Sequence, residues 1–473
     1  MFDFDLIIIG GGSGGLVAAS VARQLGAKVA LIDKERLGGE CLYTGCVPSK
    51  TLIHIAKVAQ IVRSGEARGV LSATPTIAMP QVAAAIAGVI DQIGHDESAY
   101  VEGVDVRFGV VRFIDPHTLD LAGTRLTTKS VIIATGSHAA IPTIAGLDGI
   151  AYLTNESVFA LNALPTSLAI VGGGPEGCEL AQAFARLGTT VTLLQRAERV
   201  LPREEPMVSQ SIAAALTADG VTIITGANIT GITRAGEMNE ITYTAPDKIA
   251  ATMHAAAILF ATGRSPNVQD LDLERAGVRY TAAGITVDDK MRTAQSNIFA
   301  IGDVTGGYHF THIAAAEAGV AAPNALLPAF LARKMSYAVV PWATFTDPEA
   351  ARIGLTETEA RARFGNAVRV QLFPWSHIDR AQTDGKPVGF IKLVIGKGET
   401  LLGAHLVGAH SSELLAELAL VMRHKLPISD ITATIHTYPT YSTGLQSAAF
   451  AANIASPTWA RNRSIVKRFL PRR

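Results

Sequence analysis

The sequence predicts an α/β chain: two similar parallel-sheet units followed by a mixed α+β segment. Three observations carry this reading. Two blocks, at residues 6–33 and 167–195, share one order of apolar strand, glycine turn, helix and second apolar strand. Forty-four glycines and an apolar share of 48% suit tight turns between strands buried on both faces. From about Tyr337 the pattern changes to short strands and helices of mixed polarity. At 473 residues the chain is also too long for one core, so two to four domains are expected.

In the first block, Leu6 to Ile9 reads as a strand, and Gly10-Gly11-Gly12-Ser13-Gly14-Gly15 follows with G-x-G-x-x-G spacing before a helix expected from Leu16 to Leu25. Such glycines permit a tight turn and let a pyrophosphate rest on N–H groups at the positive end of the helix. A second strand, Val29 to Ile32, ends at Asp33, close to where a carboxylate accepts ribose hydroxyls. One glycine turn alone is a weak signal. The ordered series is Rossmann-like.

The second block repeats it: strand Ser167 to Val171, Gly172-Gly173-Gly174-Pro175-Glu176-Gly177, a helix to about Leu187, and strand Val191 to Leu194. Gly15 precedes Asp33 by 18 residues, and Gly177 precedes Gln195 by the same 18. A carboxylate there would repel a 2'-phosphate; Gln195 is neutral, and Arg196, Arg199 and Arg203 follow at once. The sequence therefore predicts NADPH in preference to NADH, one charge-assisted contact contributing about 1.5–3 kcal/mol. A solvated basic turn is the competing reading.

Between the blocks lies Gly38-Gly39-Glu40-Cys41-Leu42-Tyr43-Thr44-Gly45-Cys46-Val47-Pro48-Ser49-Lys50, which holds two of the three cysteines. Thiols this sparse do not describe a disulfide-stapled secreted domain. A reactive pair in a reducing compartment fits, as does, for the pair taken alone, a buried couple without chemistry. The surrounding residues add a resemblance. Gly39-x-Cys41-x4-Cys46-x-Pro48-Ser49-Lys50 resembles the redox-active site of the class I pyridine nucleotide-disulfide oxidoreductases, which include dihydrolipoamide dehydrogenase, glutathione reductase and mercuric reductase.

The resemblance implies FAD on the first unit, held through Gly10, Gly12, Ser13, Gly14, Gly15, Asp33, Lys34, Gly39 and Lys50, and a Cys41–Cys46 disulfide beside it. The cysteine matching Cys46 would form the charge-transfer thiolate, and the one matching Cys41 would attack substrate. Glu179 would pair with Lys50 near the flavin, although taken alone it could be a first-turn acid favoured by the helix dipole. Cys178 reads as a small buried residue. Pro175-Glu176 stands where many relatives carry an aromatic gate.

Strands ending in Ala134-Thr135-Gly136 and Ala261-Thr262-Gly263-Arg264 look like two crossings, so that the NAD(P)H unit is inserted into the FAD unit. Its turn would hold nucleotide through Gly172, Gly174 and Gly177. Ser296 to Asp303 resembles a second FAD motif, with Gly302 and Asp303 at the ribityl chain. His312 and Glu317 follow on an expected helix near the ring, where a satisfied core or surface His fits as well as a catalytic one. The expected divisions are 1–145 and 265–336 for FAD, 146–264 for NAD(P)H, 337–455 for an interface domain and 456–473 for a basic tail. The interface domain, with strands near 390–395 and 402–407 and a helix from Ser412 to His424, implies a homodimer.

One departure bears on the substrate. Dihydrolipoamide dehydrogenases and glutathione reductases place a histidine before a proline and a glutamate four after it, as an acid–base dyad. Here Tyr438 and Thr443 flank Pro439 at those positions, and His436 lies two residues early. Neither a phenol nor a threonine hydroxyl is a general base near neutral pH. Mercuric reductases favour tyrosine in this region, and Phe345-Thr346-Asp347-Pro348 is similar to them, but this chain has neither their C-terminal cysteine pair nor their extra N-terminal metal-binding domain. The acceptor is thus expected to be a metal ion or other electrophile, with a disulfide (dihydrolipoamide dehydrogenase) or a quinone (diaphorase) as alternatives. A flavin-loaded redox sensor is the reading outside enzymology.

Lys+Arg and Asp+Glu balance at 41 each, which gives no pull towards nucleic acid. No resident metal site is expected. The N-terminus lacks a basic n-region, and no apolar run spans a bilayer, so a cytoplasmic protein is expected. Arg461, Arg463, Lys467, Arg468, Arg472 and Arg473 crowd the tail without an acid, and Trp459, Ile465, Val466, Phe469 and Leu470 could form an apolar stripe suited to weak membrane-surface contact. A disordered end, or one packed on a partner subunit, fits the same residues.

Overall fold

The computed structural model describes residues 1–67, 69–70, 73–245 and 249–469. Leu470, Arg472 and Arg473 of the predicted tail, and the side chain of Lys467, lie outside that description. The chain begins with β1 (Phe4–Ile9), α1 (Ser13–Gln24), β2 (Val29–Asp33), α2 (Gly39–Tyr43), α3 (Cys46–Ala67) and α4 (Met79–Glu97). β3 (Asp105–Phe108), β4 (Val111–Asp115), β5 (Thr118–Leu121) and β6 (Thr124–Ile133) complete a sheet of order β3-β2-β1-β6-β5-β4. β1 pairs in parallel with β2 and β6, at its centre. Its alternation explains why it is apolar throughout: Leu6 and Ile8 pack with Leu16 and Ala19 of α1, Ile7 and Ile9 with Phe113 and Leu119 of the β4–β5 hairpin.

The chain leaves through β7 (Ser137–Ala139) into a second unit: β8 (Ser167–Val171), α5 (Pro175–Leu187), β9 (Thr190–Gln195), α6 (Pro206–Ala218) and β10 (Thr222–Thr225). An antiparallel group, β11 (Asn228–Ala235), β12 (Met238–Thr244) and β13 (Ala250–Ala255), precedes β14 (Ala257–Phe260). The parallel order here is β10-β9-β8-β14. On return, β15 (Arg264–Pro266) pairs antiparallel with β7, so the exit and the re-entry are hydrogen-bonded to each other. After the small pair β16 (Tyr280–Thr281) and β17 (Gly284–Ile285), β18 (Ile298–Ala300) rejoins the first sheet beside β6, and α7 (Thr311–Leu326) packs on α1.

The remainder forms an antiparallel sheet of β19 (Pro341–Thr344), β20 (Glu349–Gly354), β21 (Arg369–Pro374), β22 (Phe390–Ile395) and β23 (Leu401–Gly408), with α8 (Glu357–Phe364) and α9 (Asp379–Thr383) in its connections. α10 (Leu415–Arg423), α11 (Ile428–Ala433) and α12 (Thr443–Ile454) cover one face, and α13 (Pro457–Phe469) follows.

Two helix starts differ from the sequence expectation. α1 begins at Ser13, inside the glycine turn and not after it. α10 begins at Leu415, not Ser412, because the Ser412 N–H and hydroxyl both donate to the Glu349 carboxylate and hold that residue outside the helix.

The other face of this sheet carries charge towards the second unit. Lys392 is buried against Glu205 and Glu357 at 2.9 and 2.8 Å, and the buried Arg352 donates to the Arg203 carbonyl at 2.6 Å. Burial holds His405 neutral, its pKa pushed down to about 4. Nearby, Arg186 bridges Asp219 at 2.9 Å and Asp347 at 3.1 Å, while Gln182 donates to both residues. Removing one member of such a buried group leaves a charge unpaired, at about 3–5 kcal/mol. Arg186→Met should therefore lower stability by about that amount in urea unfolding; a loss below about 1 kcal/mol would show the bridge to be incidental.

Candidate active site at the Cys41–Cys46 pair

Cys41 lies on α2 and Cys46 opens α3; the Thr44-Gly45 turn folds one helix back towards the other. Gly45 makes this approach feasible, since a Cβ there would stand 3.0 Å from the Glu40 carbonyl. Both cysteines are free thiols, within hydrogen-bond reach of each other. The Thr311 hydroxyl, at the start of α7, donates to Cys41 Sγ at 3.1 Å and lies 3.6 Å from Cys46 Sγ. Ser13, in the first glycine turn, also reaches Cys41.

The pair is electrostatically unequal. A hydrogen bond from Cys41, then Thr311 and the Lys50 ammonium, pull the Cys46 thiol down to about 6 against the effect of burial. Its position at a helix N-terminus favours the same charge. Cys41 is pushed upward by that hydrogen bond, by burial and by the neighbouring thiolate. These surroundings favour negative charge on Cys46 over Cys41.

Lys50, one turn into α3, meets Glu179 of α5 at 2.7 Å. The second Glu179 oxygen accepts the Phe345 N–H at 2.8 Å, and the Phe345 ring lies 4.7 Å from Lys50 Nζ. Burial disfavours the lysine charge, but Glu179 outweighs it and raises the pKa. Glu176 is nearly buried, its carboxyl raised by burial, and its Oε1 has no hydrogen-bond partner among the described residues. Cys178 is fully buried and its thiol is raised by burial, so it stands apart from the pair.

Arg264, at the re-entry strand, joins a second group. Its guanidinium pairs with Glu40, donates to Ser137 Oγ at 2.8 Å and lies 3.5 Å from Asp303. Asp303 also accepts from Ser137, and Asn155 donates to Glu40 at 2.6 Å. Burial pushes Glu40 up to about 7, against the pull of Arg264. Sequence reasoning passed over Glu40, Ser137, Asn155 and Thr311. Only Glu40, an acid between the motif glycine and Cys41, carried a visible signal.

Both glycine turns have the geometry of a dinucleotide cradle. Gly10 has φ +106°, and a Cβ on Gly15 would stand 1.8 Å from the Gly10 carbonyl, so helix and strand touch at backbone distance. Gly172 and Gly177 repeat this at φ +113° and 1.8 Å. Gly12 and Gly174 precede α1 and α5 with no side-chain cap, leaving the first N–H groups to a phosphate. Gly39 runs against Gly12; a Cβ on Gly39 would lie 2.6 Å from the Gly12 Cα. Gly136, Gly263 and Gly302 also have positive φ. Together with the unpartnered Glu176 oxygen, these features fit FAD on the first unit and a nicotinamide nucleotide on the second.

Asp33 and Gln195 occupy equivalent places. Asp33 Oδ2 accepts the Gly11 N–H at 2.7 Å, and Gln195 Oε1 accepts the Gly173 N–H at 3.0 Å. The amide substitutes for the carboxylate in bracing the turn without carrying charge. Lys34 and Arg196 are exposed beside them. Arg199 Nη2 donates to the Pro202 and Glu204 carbonyls of its own loop, while its Nε has no hydrogen-bond partner among the described residues. Exposed Arg196 and Arg203 remain on that side. Thr135 is likewise engaged, bonding Asn267 through both hydroxyl and carbonyl.

Residues 4–318 match the pyridine nucleotide-disulphide oxidoreductase family, and residues 340–449 match its dimerisation domain. The chain belongs to this family. It is 35% identical to a mercuric reductase of Staphylococcus aureus, over 94% of this chain and 82% of that protein. It is 33% identical to a dihydrolipoyl dehydrogenase of Bacillus subtilis (strain 168), over 95% and 98%. Among solved structures, the Cu(II) complex of the HOCl-induced flavoprotein disulfide reductase RclA from Escherichia coli aligns with a TM-score of 0.84 at 28% identity, covering 95% of this chain and 100% of that one. As a member of this family the protein is a flavin-dependent pyridine nucleotide-disulfide oxidoreductase.

The C-terminal loop holds no imidazole free to act as a base. His436 Nε2 lies 3.1 Å from the Glu417 carboxylate, and its Nδ1 lies 3.0 Å from the Thr434 carbonyl. The exposed Tyr438 donates to Asp379 at 2.7 Å, and Thr443 Oγ1 donates to the Thr440 carbonyl. His312 is engaged with the Pro341 carbonyl, and the buried Glu317 accepts the Gly302 N–H and the Tyr337 hydroxyl.

The thiol asymmetry is measurable. In the reduced protein, alkylation of Cys46 by iodoacetamide should rise through a midpoint near pH 6, and Cys41→Ala should move that midpoint upward by removing the main stabilising hydrogen bond. An unchanged profile would overturn the assignment of the thiolate.

Proposed function

We propose that the protein is an NADPH-dependent reductase of a soft metal ion or other thiophilic electrophile, working as a homodimer through the Cys41–Cys46 pair. When bound, FAD supplies the two-electron link between nicotinamide and thiols. The carrying observation is the unequal thiol pair combined with a C-terminal loop whose one histidine has both ring nitrogens engaged. A dithiol substrate needs a base to take its proton. A metal ion or electrophile needs only sulfur.

In this reading Cys46 holds the negative charge, stabilised by Thr311 and Lys50, while Cys41 meets the acceptor. Glu179 fixes Lys50, and Phe345 covers it. Arg264 sets Glu40 on the cysteine helix against Asp303, the proposed ribityl contact. The resemblance to named mercuric reductases and to a reductase solved with Cu(II) supports the metal reading. A second reading, a quinone acceptor, draws on the rings of Tyr308, Phe310 and Trp342, stacked or tilted at 6.1–6.3 Å beside Thr311, a surface suited to a planar molecule.

Steady-state NADPH oxidation against Hg(II), lipoamide, glutathione disulfide and a quinone series, repeated with Cys41→Ser, separates these. Metal reduction should be lost in the variant; survival of activity with quinone alone would replace the first reading by the second. The nucleotide claim is tested separately. kcat/KM should favour NADPH over NADH by about tenfold or more, and Arg196→Glu with Arg203→Glu should abolish that preference. A wild-type preference for NADH would remove it.

A further inference from the structure

We propose that α13 is an interfacial anchor that lays the protein on the surface of an anionic phospholipid bilayer. The helix starts from a fixed point. Ser456 is buried, its hydroxyl accepts the Trp459 N–H at 3.0 Å, and Pro457 follows at the first helical position. Beyond that point the two faces separate. At about 100° per residue, Ile465, Phe469, Val466 and Trp459 fall within an arc of about 120°, interrupted by one uncharged polar residue, Asn462. Arg461 and Arg468 flank one edge of this arc and Arg463 flanks the other, with no acid among them.

The apolar arc is uncovered. Trp459 is 40% exposed, Ile465 47%, Val466 55% and Phe469 84%. Phe450 and Ile454 of α12, which leads into this helix, are also exposed. Aromatic and branched side chains flanked on both edges by arginines describe a helix that lies in the headgroup plane, with its apolar side towards the acyl chains. Charge complementarity selects the lipid. The chain is neutral overall, yet it contains no Asp or Glu after Asp430, and its tail concentrates six cations from Arg461 to Arg473. Such a segment is attracted to an anionic leaflet and not to a zwitterionic one. No helix among the described residues is long and apolar enough to cross a membrane, so this contact would be peripheral.

The test uses full-length, FAD-loaded protein co-sedimented with vesicles of phosphatidylcholine alone or mixed with phosphatidylglycerol. Binding should require the anionic lipid, weaken with salt and fall about tenfold or more in Val466→Asp/Phe469→Asp. Arg461→Glu/Arg463→Glu should reduce it comparably, while turnover with a soluble acceptor stays unchanged. Analytical ultracentrifugation of a chain ending at Ser456 provides the second measurement. Loss of vesicle binding with an unchanged oligomeric state supports the anchor. Dissociation of the oligomer would make α13 a subunit contact, and binding indifferent to the truncation, or no binding at all, would equally overturn the proposal.

Discussion

Glu179 is the residue on which the three parts of this protein converge. One carboxylate oxygen takes the Lys50 ammonium from the first unit, and the other takes the Phe345 N–H from the C-terminal domain, while its own helix belongs to the second unit. A carboxylate with 5% of its side chain exposed must have its charge answered, and here each answer comes from a different domain. Separating the domains would break both contacts. The same lysine that satisfies Glu179 also stabilises the Cys46 thiolate, so interdomain assembly and thiol chemistry share one cation.

A second convergence lies across the thiols. Arg264 sits on the strand by which the chain re-enters the first unit, and it gathers Glu40, Ser137 and Asp303 from three separate segments. Because β15 is paired with β7, insertion of the second unit itself brings this guanidinium to the cysteine helix. Topology here is part of the site. Each of the two glycine turns presents an uncapped helix terminus of the kind that takes a phosphate.

Within the family's architecture, a few local residues bear on the choice of nucleotide and of acceptor. Gln195 braces its turn as Asp33 does, without the charge that would exclude a 2'-phosphate. His436 is held by Glu417 and Thr434, and Tyr438 by Asp379, so the loop that carries a base in dithiol-handling relatives is committed to its own hydrogen bonds.

Much of this was legible in the chain itself. The paired strand–glycine–helix blocks and the Cys-x4-Cys stretch are local patterns, set by backbone geometry over a few residues, and sequence carries such information directly. What sequence could not show is which distant side chains would meet. Thr311 reaches Cys41 across 270 positions, and Arg264 reaches Glu40 across 224. The cross-strand row of Arg352, His405 and Lys392, which meets Glu204 and Glu205, was equally hidden, since charged residues in a strand ordinarily indicate a solvated face. Local periodicity decides what each segment becomes; only packing decides which buried charges must find one another, because desolvation penalises every ion that the folded chain leaves without a partner.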